Sequence, residues 1–215
     1  MFDERQTLNG NLRAELASRG TLVGAAPGDV VFVQGDGADS VYFIERGLIK
    51  LSTVSDSGKE AVLAILNENN IFGHESLVGQ QQRSQTASAL TDCEIIRIDN
   101  AIVLDMVENH PSFSNFMVSY LLRLDAMMEE ELISLRSNSC EKRLAHLLVR
   151  LANIDGNSAS GASIPRITHE TLAGMVGTTR PRISCFMNEF RRAGYIEYGE
   201  NIYVRPSILK MLRDE

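Results

Sequence analysis

The sequence predicts an α+β chain: a small antiparallel barrel or sandwich, then a long helical segment, then a helix-turn-helix with a wing. Three observations carry this. Between Thr21 and about Ile98, short runs rich in Val, Ile and Leu are punctuated by Pro27-Gly28-Asp29, Gly35-Asp36-Gly37, Gly47, Asp56-Ser57-Gly58, Asn69-Asn70 and Gly73. Turn signals at roughly ten-residue spacing between such runs read as strands of a compact all-β unit. From about Asn100 to Ser137 the apolar period becomes helical. From Ile167 to Tyr195, two short amphipathic segments meet at Gly177.

With 215 residues, the chain has room for one large or two small domains. Hydrophobic residues make up 44% of it, ordinary for a chain with a buried core. It has no apolar run near 18 residues and no charged-then-apolar N-terminus, so a cytoplasmic chain without a membrane span is expected. Cys93, Cys140 and Cys185 stand singly, with no CxxC pair, and read as thiols and not as disulfides or a metal cage. No GxSxG, P-loop, HExxH or DxDxDG motif occurs, so no enzyme is expected. The net charge of −7 hides an asymmetry: residues 1–138 carry −10 and residues 139–215 carry +3. The local field is what meets a phosphate backbone, so a basic unit behind an acidic one is compatible with nucleic acid.

Taken in order, residues 8–18 predict a modest helix with Leu8, Leu12 and Leu16 on one side. The alternation in VYFIERGLIKLSTV fits strands buried on one face. In the long helical segment, Phe113, Met117, Tyr120, Leu124 and Met127 form one stripe, and Leu121, Met128, Leu132 and Leu135 a second beside it. One stripe can cover the strand unit while the other pairs with a second copy, the alternative being a helix buried on both sides within one chain. We assign the dimer contact to Phe113, Met117, Tyr120, Leu124 and Met127. Glu129-Glu130-Glu131 reads as a solvated face. Asn138 with Glu141 forms a candidate capping box for a helix over about 139–153. Asp155 to Ser163 reads as a loop, and YIEYGENIYV as two short strands around Gly199-Glu200-Asn201.

Thr168 is placed to cap the first helix of the basic unit, with Leu172, Ala173 and Val176 on its buried face. Thr178 is the expected cap of the second, whose apolar positions are Ile183, Phe186, Met187 and Phe190. The opposite face carries Arg180, Arg182, Ser184, Cys185, Asn188, Arg191 and Arg192. One greasy face and one arginine-rich face, after a glycine turn, is how a helix-turn-helix presents itself to DNA. Pro181 falls in the first turn, where backbone N–H groups have no intrahelical partner to lose.

In this order the units resemble the CRP/FNR family of bacterial transcription regulators. The resemblance covers nearly the whole chain and rests on four stretches. These are Gly28-Asp29, the run Glu45 to Leu51, Phe72-Gly73 followed by Arg83-Ser84, and residues 168–196 with Val176-Gly177-Thr178-Thr179-Arg180. It implies a β-roll of the cyclic-nucleotide-binding type over 1–99, a long dimerisation helix over 100–137 and a winged helix-turn-helix over 138–215. It further implies a homodimer on palindromic double-stranded DNA and contact with RNA polymerase. By matching position, Arg180 is the candidate for a bidentate contact to guanine, a contact that discriminates by roughly 1–3 kcal/mol. Thr178, Thr179 and Arg182 are placed for phosphates, and Ser184, Cys185 and Asn188 complete the candidate DNA face. The family's usual Glu after that arginine is Pro181 here, and its later arginine is Cys185. A palindrome different from the TGTGA-like half-site is therefore expected. Cys185 is also a candidate redox-sensitive position.

At the sensor end, the resemblance makes Gly73, Arg83 and Ser84 a phosphate cradle. The ribose-binding Glu is replaced by His74, with Glu75 one residue on, and the purine-facing hydroxyls by Met128 and Glu129. The effector therefore stays open among a cyclic nucleotide, another anion, and a cradle retained only as structure. Haem on His74 or His110 is a lesser alternative, and an iron–sulfur cluster lacks its cysteines. Two rival readings remain: an effector-binding or interaction module that has lost DNA binding, and a constitutive, effector-free DNA binder.

Overall fold

The computed structural model describes residues 10–55, 58, 60–152, 154 and 160–213. Leu8, Asp56-Ser57 and residues 155–159 lie outside them. The chain falls into two compact units, Met1–Glu60 with Ala64–Met128, and Ala61–Leu63 with Glu129–Glu215.

The first unit opens with helix α1 (Gly10–Arg19). Eight strands follow: β1 (Thr21–Ala25), β2 (Val30–Phe32), β3 (Ser40–Arg46), β4 (Ile49–Val54), β5 (Glu60–Leu66), β6 (Ile71–Phe72), β7 (Thr86–Ala89) and β8 (Cys93–Asp99). They form two four-stranded antiparallel sheets, ordered β1-β8-β3-β6 and β2-β7-β4-β5. Helices α2 (Asn100–Asn109) and α3 (Pro111–Ser137) come next. The helical period read across 100–137 is thus broken once. His110 is extended at φ −123°, because the residue before a proline is driven out of the α region.

Strand β3 is central, and both of its faces are buried, where the alternation had suggested one. Val41 and Phe43 join Leu12, Leu16, Ile96, Ile98, Val103, Met106 and the first half of α3 in one core. Tyr42 and Ile44 turn the other way and pack with Phe32, Ile49, Phe72, Ala87, Ala89 and Ile95 between the sheets. A strand buried on both faces loses the polar alternation of an exposed sheet.

This arrangement corrects the dimer assignment. Phe113, Met117 and Tyr120 are buried in the chain's own core, and Leu124 packs against it. The Tyr120 hydroxyl donates to the carbonyl of Ile71 at 2.8 Å and accepts from its N–H at 2.9 Å, completing the edge of the two-residue strand β6. Burial pushes its pKa up to about 12. Of the assigned stripe only Met127 is exposed, whereas Leu121, Met128, Leu132 and Leu135 all are, with Val118, Leu122 and Ile133 beside them.

The second unit continues with α4 (Cys140–Leu151), β9 (Ala162–Ile164), α5 (His169–Val176), α6 (Arg180–Arg192), β10 (Ile196–Tyr198), β11 (Ile202–Val204) and α7 (Leu209–Arg213). The cap of α4 is Ser139, which accepts from the Lys142 N–H, and not Asn138, whose amide donates to Ser134 Oγ instead. Residues 162 and 163, read as loop, belong to β9, the third strand of a sheet ordered β10-β11-β9. Gly161 makes this possible: a β-carbon there would lie 2.3 Å from the Val204 carbonyl oxygen. Among the described residues, no helix is long and apolar enough to cross a membrane.

Candidate nucleic-acid interface and sensor site

Helix α5 begins at Thr168, whose hydroxyl accepts from the Thr171 N–H at 3.1 Å, as its position before the apolar run suggested. It ends at Gly177, left-handed at φ 70°, a conformation that a β-carbon disfavours. The freed carbonyl of Val176 accepts from both Nε and Nη2 of Arg143, at 3.0 and 2.8 Å. Arg143, on α4, thus caps the helix end at the turn. Sequence reasoning missed it, since the pair lies 33 residues apart.

Helix α6 starts after Thr179, one residue later than expected, and this cap makes no side-chain bond. Thr178 is half-buried. Pro181 occupies the first turn. Ile183, Met187 and Phe190 are essentially fully buried, and burying each stabilises the unit by about 1.5–3 kcal/mol. Phe186 is half-buried, with the Arg182 guanidinium 5.7 Å above its ring. Arg180, Cys185, Asn188, Arg191 and Arg192 are exposed together with Glu189. The Cys185 thiol donates to Glu189 at 3.4 Å. That hydrogen bond, then the Glu189 charge, pushes its pKa up, which lowers its thiolate content and opposes the redox role.

Ser184 has a different partner from the one expected. Its hydroxyl lies 2.8 Å from Nδ1 of His169, and Nε2 of the same ring lies 3.3 Å from the Tyr198 hydroxyl. Burial, then the Arg180 charge, holds the His169 pKa below its ordinary value. Arg166 sits 5.9 Å over the Tyr198 ring. Sequence reasoning singles out none of His169, Tyr198 or Arg166.

At the sensor end, Gly73 and Arg83 do come together, but inward. The guanidinium-bearing residue is 2% exposed. It donates from Nη1 to the Gly73 carbonyl at 3.0 Å and from Nη2 to the Ser40 carbonyl and hydroxyl at 2.7 and 3.1 Å. It lies 4.4 Å over the Phe32 ring and 5.4 Å over that of Tyr42, where cation–π attraction adds to the bonds. Tyr42 stacks in turn on Phe72 at 5.0 Å. Ser84 is exposed. The phosphate cradle is therefore not assembled: Arg83 is held by carbonyls and aromatic rings of the interior.

His74 and Glu75 open a 3-10 turn (His74–Val78) instead of an extended segment. Glu75 is half-buried. Among the described residues His74 Nδ1 is buried without a partner, and burial lowers the pKa of the ring. Met128 and Glu129 are exposed on α3. His110, the other histidine considered for haem, pairs through Nδ1 with Glu15 at 3.1 Å and lies 3.2 Å from Arg19 through Nε2. A groove of 420 Å³ lies elsewhere, lined by Lys50, Ser52, Glu60, Thr86 and Ser88, with Lys50 and Glu60 paired across it at 2.7 Å.

A double-sheet roll followed by a helix-turn-helix with a three-stranded wing defines a two-part transcription regulator. Residues 22–110 match the cyclic nucleotide-binding domain and residues 142–210 the Crp-like helix-turn-helix domain. The chain is 31% identical over 174 residues to the global nitrogen regulator of Synechocystis sp., covering 77% of this chain and 76% of that protein. It is 25% identical over 185 residues to the CRP-like cAMP-activated global transcriptional regulator of Mycobacterium tuberculosis, covering 84% and 82%. The chain belongs to the CRP/FNR family of transcription regulators. The same fold occurs in a CRP/FNR-family regulator from Thermus thermophilus, with a TM-score of 0.70, 23% identity and coverage of 90% and 99%. It occurs again in FixK2 from Bradyrhizobium japonicum, with a TM-score of 0.77, 14% identity and coverage of 91% and 98%.

Proposed function

We propose that the protein acts as a cytoplasmic homodimer that places two copies of α6 in successive major grooves of a palindromic DNA site and signals to RNA polymerase. The observation that carries this reading is the division of α6: Ile183, Met187 and Phe190 are buried on one side, and the remaining surface exposes Arg180, Arg182 and Asn188 at the N-terminal and middle turns. Recognition helices read bases with such N-terminal residues. Arg180 is the base reader, and Thr178, Thr179 and Arg182 hold phosphates. Ser184 is set aside from the DNA contacts because His169 holds its hydroxyl. With Pro181 and Cys185 at its flanks, Arg180 reads a half-site unlike TGTGA.

The dimer forms through the exposed stripe of α3 and not through the buried one. Val118, Leu121, Met128, Leu132 and Leu135 recur at spacings of three and four, interrupted by Asp125. This is the seam of a paired helix.

For the sensor, the position of Arg83 favours a cradle kept as structure over a cyclic-nucleotide site. An anion there must first take Arg83 from Gly73 and Ser40. Binding selection on random duplexes, followed by gel shift of palindrome and half-site with and without cyclic AMP, tests the whole reading. The expected result is a selected palindrome, bound with a steep loss of affinity as salt rises and without a requirement for cyclic AMP. Recovery of no sequence, with weak binding to every duplex, would favour the module that has lost specific DNA binding.

A further inference from the structure

We propose that His169 is a positioning residue for DNA readout, locking the rotation of the recognition helix to the wing through Ser184 and Tyr198. The inference rests on the reading of α6 as the DNA-facing helix. Three elements meet at this ring: it belongs to the first turn of α5, Ser184 to the middle of α6 and Tyr198 to the last residue of β10. An imidazole is suited to the task because its two nitrogens project in different directions in one plane. Either tautomer has one donor and one acceptor, and both hydroxyls can turn to match.

The apolar face of α6 does not fix rotation to the same degree. Ile183, Met187 and Phe190 set how deeply the helix is buried, but the hydrophobic attraction that buries them is non-directional. A hydrogen bond at a defined point on the helix surface supplies the missing direction. Ser184 is four residues after Arg180, so the two side chains lie on the same side of the helix, one turn apart. Fixing the direction of Ser184 therefore fixes the direction of Arg180, and a bidentate contact to a guanine edge tolerates little angular error. The second nitrogen ties this setting to the wing, since Tyr198 immediately precedes the turn Gly199-Glu200-Asn201. Arg166 over the Tyr198 ring closes the fourth side.

The test uses the full chain and the duplex selected by the wild type. Discrimination is measured as the ratio of affinities for that duplex and for the duplex changed at the base pair where Arg180→Ala relaxes the preference. His169→Phe keeps a flat ring and loses both polar atoms. It should lower this ratio about tenfold while leaving the salt slope, which counts phosphate contacts, unchanged. His169→Gln, with a donor and an acceptor on one amide, should recover part of the ratio. If His169→Phe does not fold, Tyr198→Phe removes one hydroxyl only and should lower the ratio in the same direction. A folded His169→Phe or Tyr198→Phe with the wild-type ratio, whatever its melting temperature, would overturn the proposal. Failure of the underlying reading looks different: Arg180→Ala itself would then relax no base pair.

Discussion

A β-carbon on Gly73 would stand 2.7 Å from Nη1 of Arg83, the atom that donates to the Gly73 carbonyl at 3.0 Å. The glycine is also left-handed, at φ 75°. Gly73 and Arg83 are thus one unit: the missing side chain leaves the room the guanidinium fills. Gly73→Ala is expected to destabilise the chain by about 2–4 kcal/mol, from backbone strain together with displaced hydrogen bonds of a buried cation. Denaturant unfolding checks this, and a loss below about half a kcal/mol would show that the cage is dispensable.

Tyr120→Phe removes the hydroxyl that satisfies both backbone groups of Ile71 and leaves the ring in place. Two buried backbone groups then lack partners, at a cost of about 1–3 kcal/mol each at most. We expect a lower denaturation midpoint, with oligomeric state unchanged, because this residue faces the chain's own core. Dissociation of a dimer by Tyr120→Phe would restore the assignment that the structure corrects.

The exposed stripe makes the opposite prediction. Leu121→Glu with Leu132→Glu places carboxylates on a face that is already exposed in the single chain, 44% and 60% respectively. The melting of the roll should change little. Sedimentation should show monomers, and affinity for the palindrome should fall by at least about a hundredfold as the second half-site is lost. A variant that sediments as a dimer would place the contact elsewhere.

His74, His146 and His169 share one pH signature. Burial comes first among the causes, and each pKa lies below the ordinary 6.5. On unfolding each returns to that value, so between the folded pKa and 6.5 the unfolded chain binds more protons. Stability is therefore greatest above the ordinary histidine value and declines as pH falls through it. Asp39 and Glu60, held low by hydrogen bonds with Ser40 and Lys50, add their loss only at more acidic pH, in the carboxylate range. Unfolding midpoints should drop between about pH 7 and pH 5.5. A flat profile across that window would contradict the lowered pKa values of these rings.

Much of this was legible in the chain because it is local. Gly177, the cap Thr168 and the period of Ile183, Met187 and Phe190 sit within a few residues of what they determine. The wing strands follow from the turn at Gly199. What was not legible depends on partners far along the chain. Periodicity reveals two stripes on α3 but not which one meets Phe43 and Ile71. The Gly73–Arg83 pair reads alike whether the guanidinium faces a ligand or the interior; its partner Ser40 lies 43 residues away. His169 reaches Ser184 and Tyr198 across 15 and 29 residues, and no spacing signals such a clasp. Strand β9, three residues long after a polar stretch, is too short for any period to appear.

The most direct measurement compares binding selections on random duplexes for the wild type and Arg180→Ala. The wild type should select a palindrome, and the variant should keep the half-site spacing while losing preference at one base pair in each half by roughly 1–3 kcal/mol. An Arg180→Ala protein that selects the same site with the same preferences would contradict Arg180 as the base reader.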